Sequence, residues 1–156
     1  MVTLMINIKI MKNIAIIAIS LCFVLASNLS LLGAEPDYKP QLTQLAGEFA
    51  TMMKAGTSDS PFSAIKYDEG KIVFTLAENS QVNQAFYSTD DFDMRDQLLN
   101  MVMEKMFSGP QGIQLLEFLE STRTGLLMEM PLPRDPNGAK SEKSFWPGDL
   151  KKKLQK

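Results

Sequence analysis

The sequence predicts an α+β fold with a small, mostly antiparallel sheet of about three strands and helices packed on one face. Apolar residues recur at helical spacing over residues 38–52 and alternate at period two over 71–77 and 124–130. Clusters of Gly, Pro, Ser and Asp separate these segments. The predicted element order is α-β-β-α-α-β.

The first predicted helix carries one continuous apolar face. Pro40 suits its first turn, and Gly56 with the polar residues 57–60 ends it. The face consists of residues spaced at i, i+4, i+7, i+11 and i+14: Tyr38, Leu42, Leu45, Phe49 and Met52.

A hairpin follows this helix. Residues 62–67 lead into the turn Asp68-Glu69-Gly70, where the glycine allows a positive φ. Ile72, Phe74 and Leu76 then alternate with other residues, as expected of a half-buried strand.

Two helices and a strand complete the predicted domain. Residues 88–91 (Ser-Thr-Asp-Asp) begin a helix with capping and acidic residues, and Ser108-Gly109-Pro110 ends it. A further helix extends over residues 113–122. The last strand covers 124–130 and ends before Pro131. A short helical turn carrying Val82 and Phe86 is expected between the hairpin and the first of these helices.

Composition divides the chain into three parts. Residues 1–34 contain a basic start, an apolar run and small residues, which predicts a secretory signal peptide cleaved after Ala34 or Ala26. The alternative is an uncleaved membrane anchor. Residues 35–133 form the α+β domain, and 134–156 are predicted to be a flexible, Lys-rich tail.

The predicted signal peptide, or leader, indicates where the protein is located. The signal peptide predicts export to a periplasm or to the cell exterior. A bacterial protein is favoured, because the segment after residue 34 has no cysteine with which to form a disulfide.

The charge distribution argues against nucleic acid as a partner. Residues 35–138 carry 16 acidic and eight basic side chains, a net charge of −8, whereas the segment from Ala139 carries six lysines and two acids. Phosphate binding requires a cationic face on the fold itself. The basic tail is expected to be solvated and to rest on the acidic domain. The alternative is that its aromatic residues and lysines make weak contact with an anionic membrane surface or dock on a partner.

Several chemistries are excluded by residue type. The chain has no histidine, and its one cysteine, Cys22, lies in the predicted leader. The remaining residues therefore lack a thiolate nucleophile, an imidazole base and the usual zinc ligands. The sequence predicts no cofactor and no metal, and carboxylates are the only acid–base groups of weight.

Methionine is the most unusual feature of the composition. Methionines adapt to irregular cores and to permissive binding grooves, and exposed thioethers bind Cu(I). Together with an aromatic residue beside the terminal lysines, they define the predicted contact residues for a ligand or partner: Met101, Met103, Met106, Met128, Met130 and Trp146.

These observations favour a small exported domain that acts by non-covalent contact with a protein, a peptide or an apolar ligand. The prediction leans away from an enzyme. The alternatives are a small carboxylate-dependent hydrolase and a methionine-based periplasmic copper(I) binder.

Overall fold

The computed structural model of the protein describes residues 37–156. The predicted signal peptide over 1–34 lies outside these residues. The described part has an α+β fold, and none of its helices combines the length and apolar character needed to cross a membrane. Its elements are α1 (Lys39–Met52), β1 (Phe62–Asp68), β2 (Lys71–Leu76), α2 (Gln81–Ser88), α3 (Phe92–Met106), α4 (Pro110–Ser121), β3 (Gly125–Pro131), β4 (Lys140–Phe145) and α5 (Pro147–Leu154).

Helix α1 forms where the periodicity predicted it. Pro40 lies in its first turn, and Leu42, Leu45 and Phe49 are buried along one face. After its last turn, Lys54 and Gly56 adopt positive φ values of 49° and 83°, which turns the chain toward β1. Gly56 N–H donates to the carbonyl of Phe62 at 2.8 Å, so the loop is tied to the start of the strand.

The β1–β2 hairpin also matches the sequence prediction. Its two turn residues, Glu69 and Gly70, have φ values of 44° and 77°, the left-handed pair that suits the twist of a tight hairpin. The strands pair antiparallel from Asp68 with Lys71 to Phe62 with Leu76, with a bulge between Phe62 and Ala64.

The sheet differs from the prediction in strand number and direction. Within residues 37–156 it has four strands in the order β1-β2-β3-β4, and β2 pairs with β3 in parallel while the other two pairings are antiparallel. The sheet is therefore mixed. A parallel pair requires a long crossover, which α2, α3 and α4 provide between the two strands.

The structure also differs from the predicted flexible tail over 134–156. Residues 140–145 form β4, which pairs with β3 from Leu126 opposite Phe145 to Pro131 opposite Lys140. The connecting turn is held by the Asp135 carboxylate, which accepts hydrogen bonds from the backbone N–H groups of Asn137 and Ala139. The polar composition indicated disorder, but an edge strand satisfies its backbone through pairing and needs few apolar side chains.

The core lies between the helices and one face of the sheet. Strand residues 72, 74 and 76 of β2 and 126, 128 and 130 of β3 pack in a single cluster with the buried faces of the helices. Phe49 of α1 makes an edge-to-face contact with Phe74 at 5.9 Å between ring centroids. Leu150 of α5 belongs to the same core, so the C-terminal helix is part of the packed domain.

Candidate binding cleft

One end of the sheet contains an open cleft. Strands β2 and β3 are parallel and both begin at this end, whereas β1 and β4 run the other way and finish there. The Gly125 N–H donates to the Gly70 carbonyl at 2.9 Å, which joins the hairpin turn to the start of β3. The cleft has a volume of about 540 Å³, and its walls come from the hairpin turn, the two strand starts, the α4–β3 turn and the β4–α5 corner.

Trp146 presents an indole at the wall of this cleft. It is the N-cap of α5, with φ −96° and ψ 127°, an extended conformation that the following Pro147 requires. The residue is 43% exposed, and its indole N–H makes no hydrogen bond within residues 37–156. Trp146 is thus an aromatic surface with a free donor, a combination common at recognition sites.

The remaining walls combine apolar and charged groups. Phe145 of β4 lies opposite Leu126 of β3 and is the partly exposed apolar residue of the lining beside Trp146, whereas Leu126 itself is fully buried. The charged side chains of the lining come from three separate regions: Glu69, Lys71, Arg123 and Asp149. Arg123 has φ 54° in the turn after α4, a conformation that carries the chain from the helix into β3 at the cleft.

The predicted contact residues divide into buried and exposed groups. Met103, Met128 and Met130 are buried in the core and present no surface to a partner. Met106 is partly buried against the same cluster. Met101 is 44% exposed on α3, and Trp146 lies at the cleft. The structure therefore does not bring the six residues together at one site.

A second exposed apolar surface lies along α3. Met94, Leu98 and Met101 have helical spacing i, i+4 and i+7, which places them on one face. Met94 and Met101 are exposed and Leu98 is partly buried. Phe92 precedes this row and is 79% exposed. This stripe is convex, since it follows the surface of a single helix.

A polar cluster links the three strands β2, β3 and β4. The Glu129 carboxylate is nearly buried and accepts a hydrogen bond from the Thr75 hydroxyl at 2.8 Å and another from the Lys140 ammonium. Lys140 also contacts the carboxylate of Glu142 at 3.1 Å. Burial acts to raise the pKa of Glu129, but the hydrogen bonds from Lys140 and Thr75 and the charges of Lys140 and Lys66 outweigh it and lower that pKa. Glu129 is thus held as a carboxylate, which suits a fixed charge and not a general acid.

The lysines of α5 lie against acidic side chains of the same chain. Lys151 contacts Glu120 at 2.7 Å and Glu117 at 3.9 Å, both on α4, and the hydrogen bond with Glu120 raises the pKa of Lys151. Lys153 lies 4.0 Å from Glu104 of α3. The basic C-terminal segment therefore lies against acidic side chains of the domain.

Within residues 37–156, no three acidic side chains come together in a group that could hold a metal ion. The two methionines of β3 share one face of the strand, as expected from their spacing, and that face is buried in the core.

Sequence reasoning missed most of the cleft. Lys71, Arg123 and Asp149 have no distinctive local pattern, and they become neighbours only through the parallel pairing of β2 with β3 and the order of the C-terminal segment. One local signal was available: Trp146 directly before Pro147 indicates an extended residue at a helix start.

Comparison with known proteins found no matching family model, no similar curated protein and no similar solved structure.

Proposed function

We propose that the protein is a small exported, non-enzymatic binding domain that contacts a protein, a peptide or an apolar ligand through the cleft beside Trp146. The observation that carries this proposal is the placement of an exposed indole, whose N–H has no partner among the described residues, at the wall of a concave site. Concave sites with aromatic walls and a few polar groups are typical of ligand binding. Tryptophan is also enriched among the residues that dominate binding energy.

The carboxylate-dependent hydrolase is less well supported. Such an enzyme needs one carboxyl group that can donate a proton and a second that stays ionised, facing each other across a cleft. The most buried carboxylate of the described residues, Glu129, has a lowered pKa and is neutralised by Lys140. The copper(I) alternative requires several accessible thioethers close together, whereas Met103, Met128 and Met130 are packed in the core. The exposed Met94 and Met101 lie seven residues apart on α3, about two helical turns.

A comparison of two single substitutions tests the proposal. The purified full chain, in the form that the expressing cell processes, is immobilised and screened with a random peptide library. Trp146→Ala is expected to weaken the selected peptides by about 30-fold or more, since truncating a central interface tryptophan costs about 2 kcal/mol or more. Met101→Ala removes an equally exposed apolar side chain on α3 and serves as the matched control.

Which of the two substitutions reduces peptide affinity shows whether the peptides bind at the cleft or at the exposed apolar stripe of α3. Peptides that lose affinity in Trp146→Ala and keep it in Met101→Ala support the cleft. Peptides that lose affinity only in Met101→Ala would assign binding to the α3 stripe and contradict the proposal. Failure to select any peptide that depends on Trp146 would contradict it as well.

A further inference from the structure

The charges around Trp146 indicate which ligand the cleft accepts. Of the four charged side chains in its lining, Asp149 has a nearby counter-charge in Lys152, at 3.9 Å. Lys71 and Arg123 make no ion pair within residues 37–156, and they come from different elements that meet at the cleft. Glu69 makes no ion pair within these residues either, so the unpaired charges of the lining are two cations and one anion, a net charge of +1 beside an aromatic wall.

We infer that the cleft binds a carboxylate attached to an apolar or aromatic group, with Lys71 and Arg123 contacting the carboxylate and the apolar group resting on Trp146. This inference rests on the proposed function, because it names the ligand class of the same site. An arginine donates paired hydrogen bonds to a carboxylate, and a lysine adds a point charge. The apolar part of such a ligand contacts Phe145 and the indole.

The acids in the lining favour a monoanion over a phosphate. Glu69 and Asp149 also border the cleft, so the whole lining carries two charges of each sign. Doubling the ligand charge doubles its attraction to the two cations and its repulsion from the two carboxylates alike. The cost of desolvating the ligand rises faster, about as the square of its charge, so this lining favours a monoanion. The shared chemistry of the expected ligands, a singly charged carboxylate on an apolar body, occurs in the C-terminus of a peptide and in a free aromatic acid.

The fluorescence of Trp146 provides a direct measurement, because it is the only tryptophan of the chain. The full chain is titrated with N-acetyl-L-phenylalanine and with its amide, which differ only in the carboxylate. The acid is expected to bind about tenfold more tightly than the amide, the size of one hydrogen bond to a charged group, and the difference is expected to shrink at high salt. Phenyl phosphate is expected to bind more weakly than the acid.

Charge variants connect this preference to the cleft. Arg123→Gln and Lys71→Gln are each expected to reduce the acid–amide difference severalfold and to leave binding of the amide nearly unchanged. Arg134→Gln is the matched control, since Arg134 has a similar φ of 62° but does not line the cleft. It is expected to keep the full difference.

The probes show whether the ligand is a peptide terminus or a free acid. They also separate a failure of the carboxylate inference from a failure of the proposed binding function. Tighter binding of N-acetyl-L-phenylalanine than of 3-phenylpropanoate indicates a peptide terminus, and the reverse indicates a free aromatic acid; both support the inference. Equal binding of acid and amide would overturn the carboxylate preference but keep the cleft as a binding site. No fluorescence change with any probe would overturn the inference, and the peptide screen with Trp146→Ala decides the proposed function separately.

Discussion

At the scale of single residues, Glu129 shows how a buried carboxylate is stabilised. Its charge is desolvated by the sheet, yet hydrogen bonds from Lys140 and Thr75 hold it ionised. A charge in this position stabilises the fold only while both partners remain in place.

The lowered pKa of Glu129 predicts acid sensitivity. Because the folded pKa lies below the ordinary value of 4.5, its stabilising contribution is complete above that value and is lost as the pH falls through the folded pKa. Glu129→Gln is expected to lower the free energy of unfolding at pH 7 by about 1–3 kcal/mol and to flatten its dependence on pH below 4.5. Denaturant unfolding at a series of pH values measures both effects.

Glu142→Gln is the control for this prediction. Glu142 also contacts Lys140, but its side chain is half exposed, so we expect a loss of less than about 1 kcal/mol. An acid-induced loss of stability in Glu129→Gln as steep as in the unsubstituted chain would contradict the role assigned to Glu129.

Asn83 is a second polar residue that contributes to stability because it is buried and hydrogen-bonded. Its side chain is fully buried at the start of α2 and donates to the carbonyls of Glu78 at 3.1 Å and Pro131 at 3.0 Å. These bonds join α2 to the end of β3. Asn83→Ala leaves both carbonyls without this donor and is expected to lower the free energy of unfolding by about 1–3 kcal/mol, as measured by denaturant unfolding. Gln84→Ala, at the exposed next position of α2, is expected to change stability by less than about 0.5 kcal/mol.

At the scale of elements, two helical glycines have opposite roles. A Cβ on Gly112 of α4 would lie 2.0 Å from the backbone carbonyl oxygen of Phe107, the C-cap residue of α3, so the tight turn between α3 and α4 requires a glycine. A Cβ on Gly47 of α1 would have no atom within 4 Å. The same substitution is therefore expected to act in opposite directions.

Gly112→Ala is expected to destabilise the protein by about 1–3 kcal/mol or more, since the backbone must shift to accept the methyl group. Gly47→Ala is expected to stabilise it by about 0.5–1 kcal/mol, because alanine has the higher helix propensity. Thermal unfolding of the two variants beside the unsubstituted chain measures both. A loss of stability in Gly47→Ala, or none in Gly112→Ala, would contradict these surroundings of the two glycines.

The C-terminal helix depends on contacts that its own sequence does not reveal. Its polar face is rich in lysine, yet Lys151 and Lys153 face acids of α4 and α3, while Leu150 enters the core. Helix α5 is thus held by packing and by charge together.

At the scale of the whole molecule, the segment after Pro133 supplies the fourth strand of the sheet and part of the core, so the domain needs it to fold. Removing residues 134–156 deletes β4, exposes one edge of β3 and withdraws Phe145 and Leu150 from the core. We expect this truncation to abolish the cooperative unfolding transition followed by far-UV circular dichroism. Removing only residues 155–156, which are exposed, is expected to leave the transition unchanged. If the chain without residues 134–156 still unfolds cooperatively, with the same midpoint as the full chain, the prediction of a flexible tail would be right after all.

The parts of the fold that were predictable are those governed by local rules. Helix α1 follows from apolar spacing, and the β1–β2 hairpin follows from turn chemistry at Glu69 and Gly70. The strand β4 could not be predicted this way, since its only large apolar residue is Phe145 and its stability comes from pairing with β3. The parallel direction of β3 against β2 depends on how three intervening helices pack, which no local pattern specifies.

The sequence alone determined which reactive side chains are available. The chain has no histidine, and its one cysteine lies in the predicted leader, so the remaining residues offer neither an imidazole base nor a thiolate. Only the tertiary structure decided which residues share a site. Lys71, Arg123 and Trp146 lie far apart along the chain and meet because parallel strands begin at the same edge of a sheet. The physical reason is that the type of each side chain is written in the sequence position by position. Which side chains become neighbours depends instead on strand direction and on how the whole core packs.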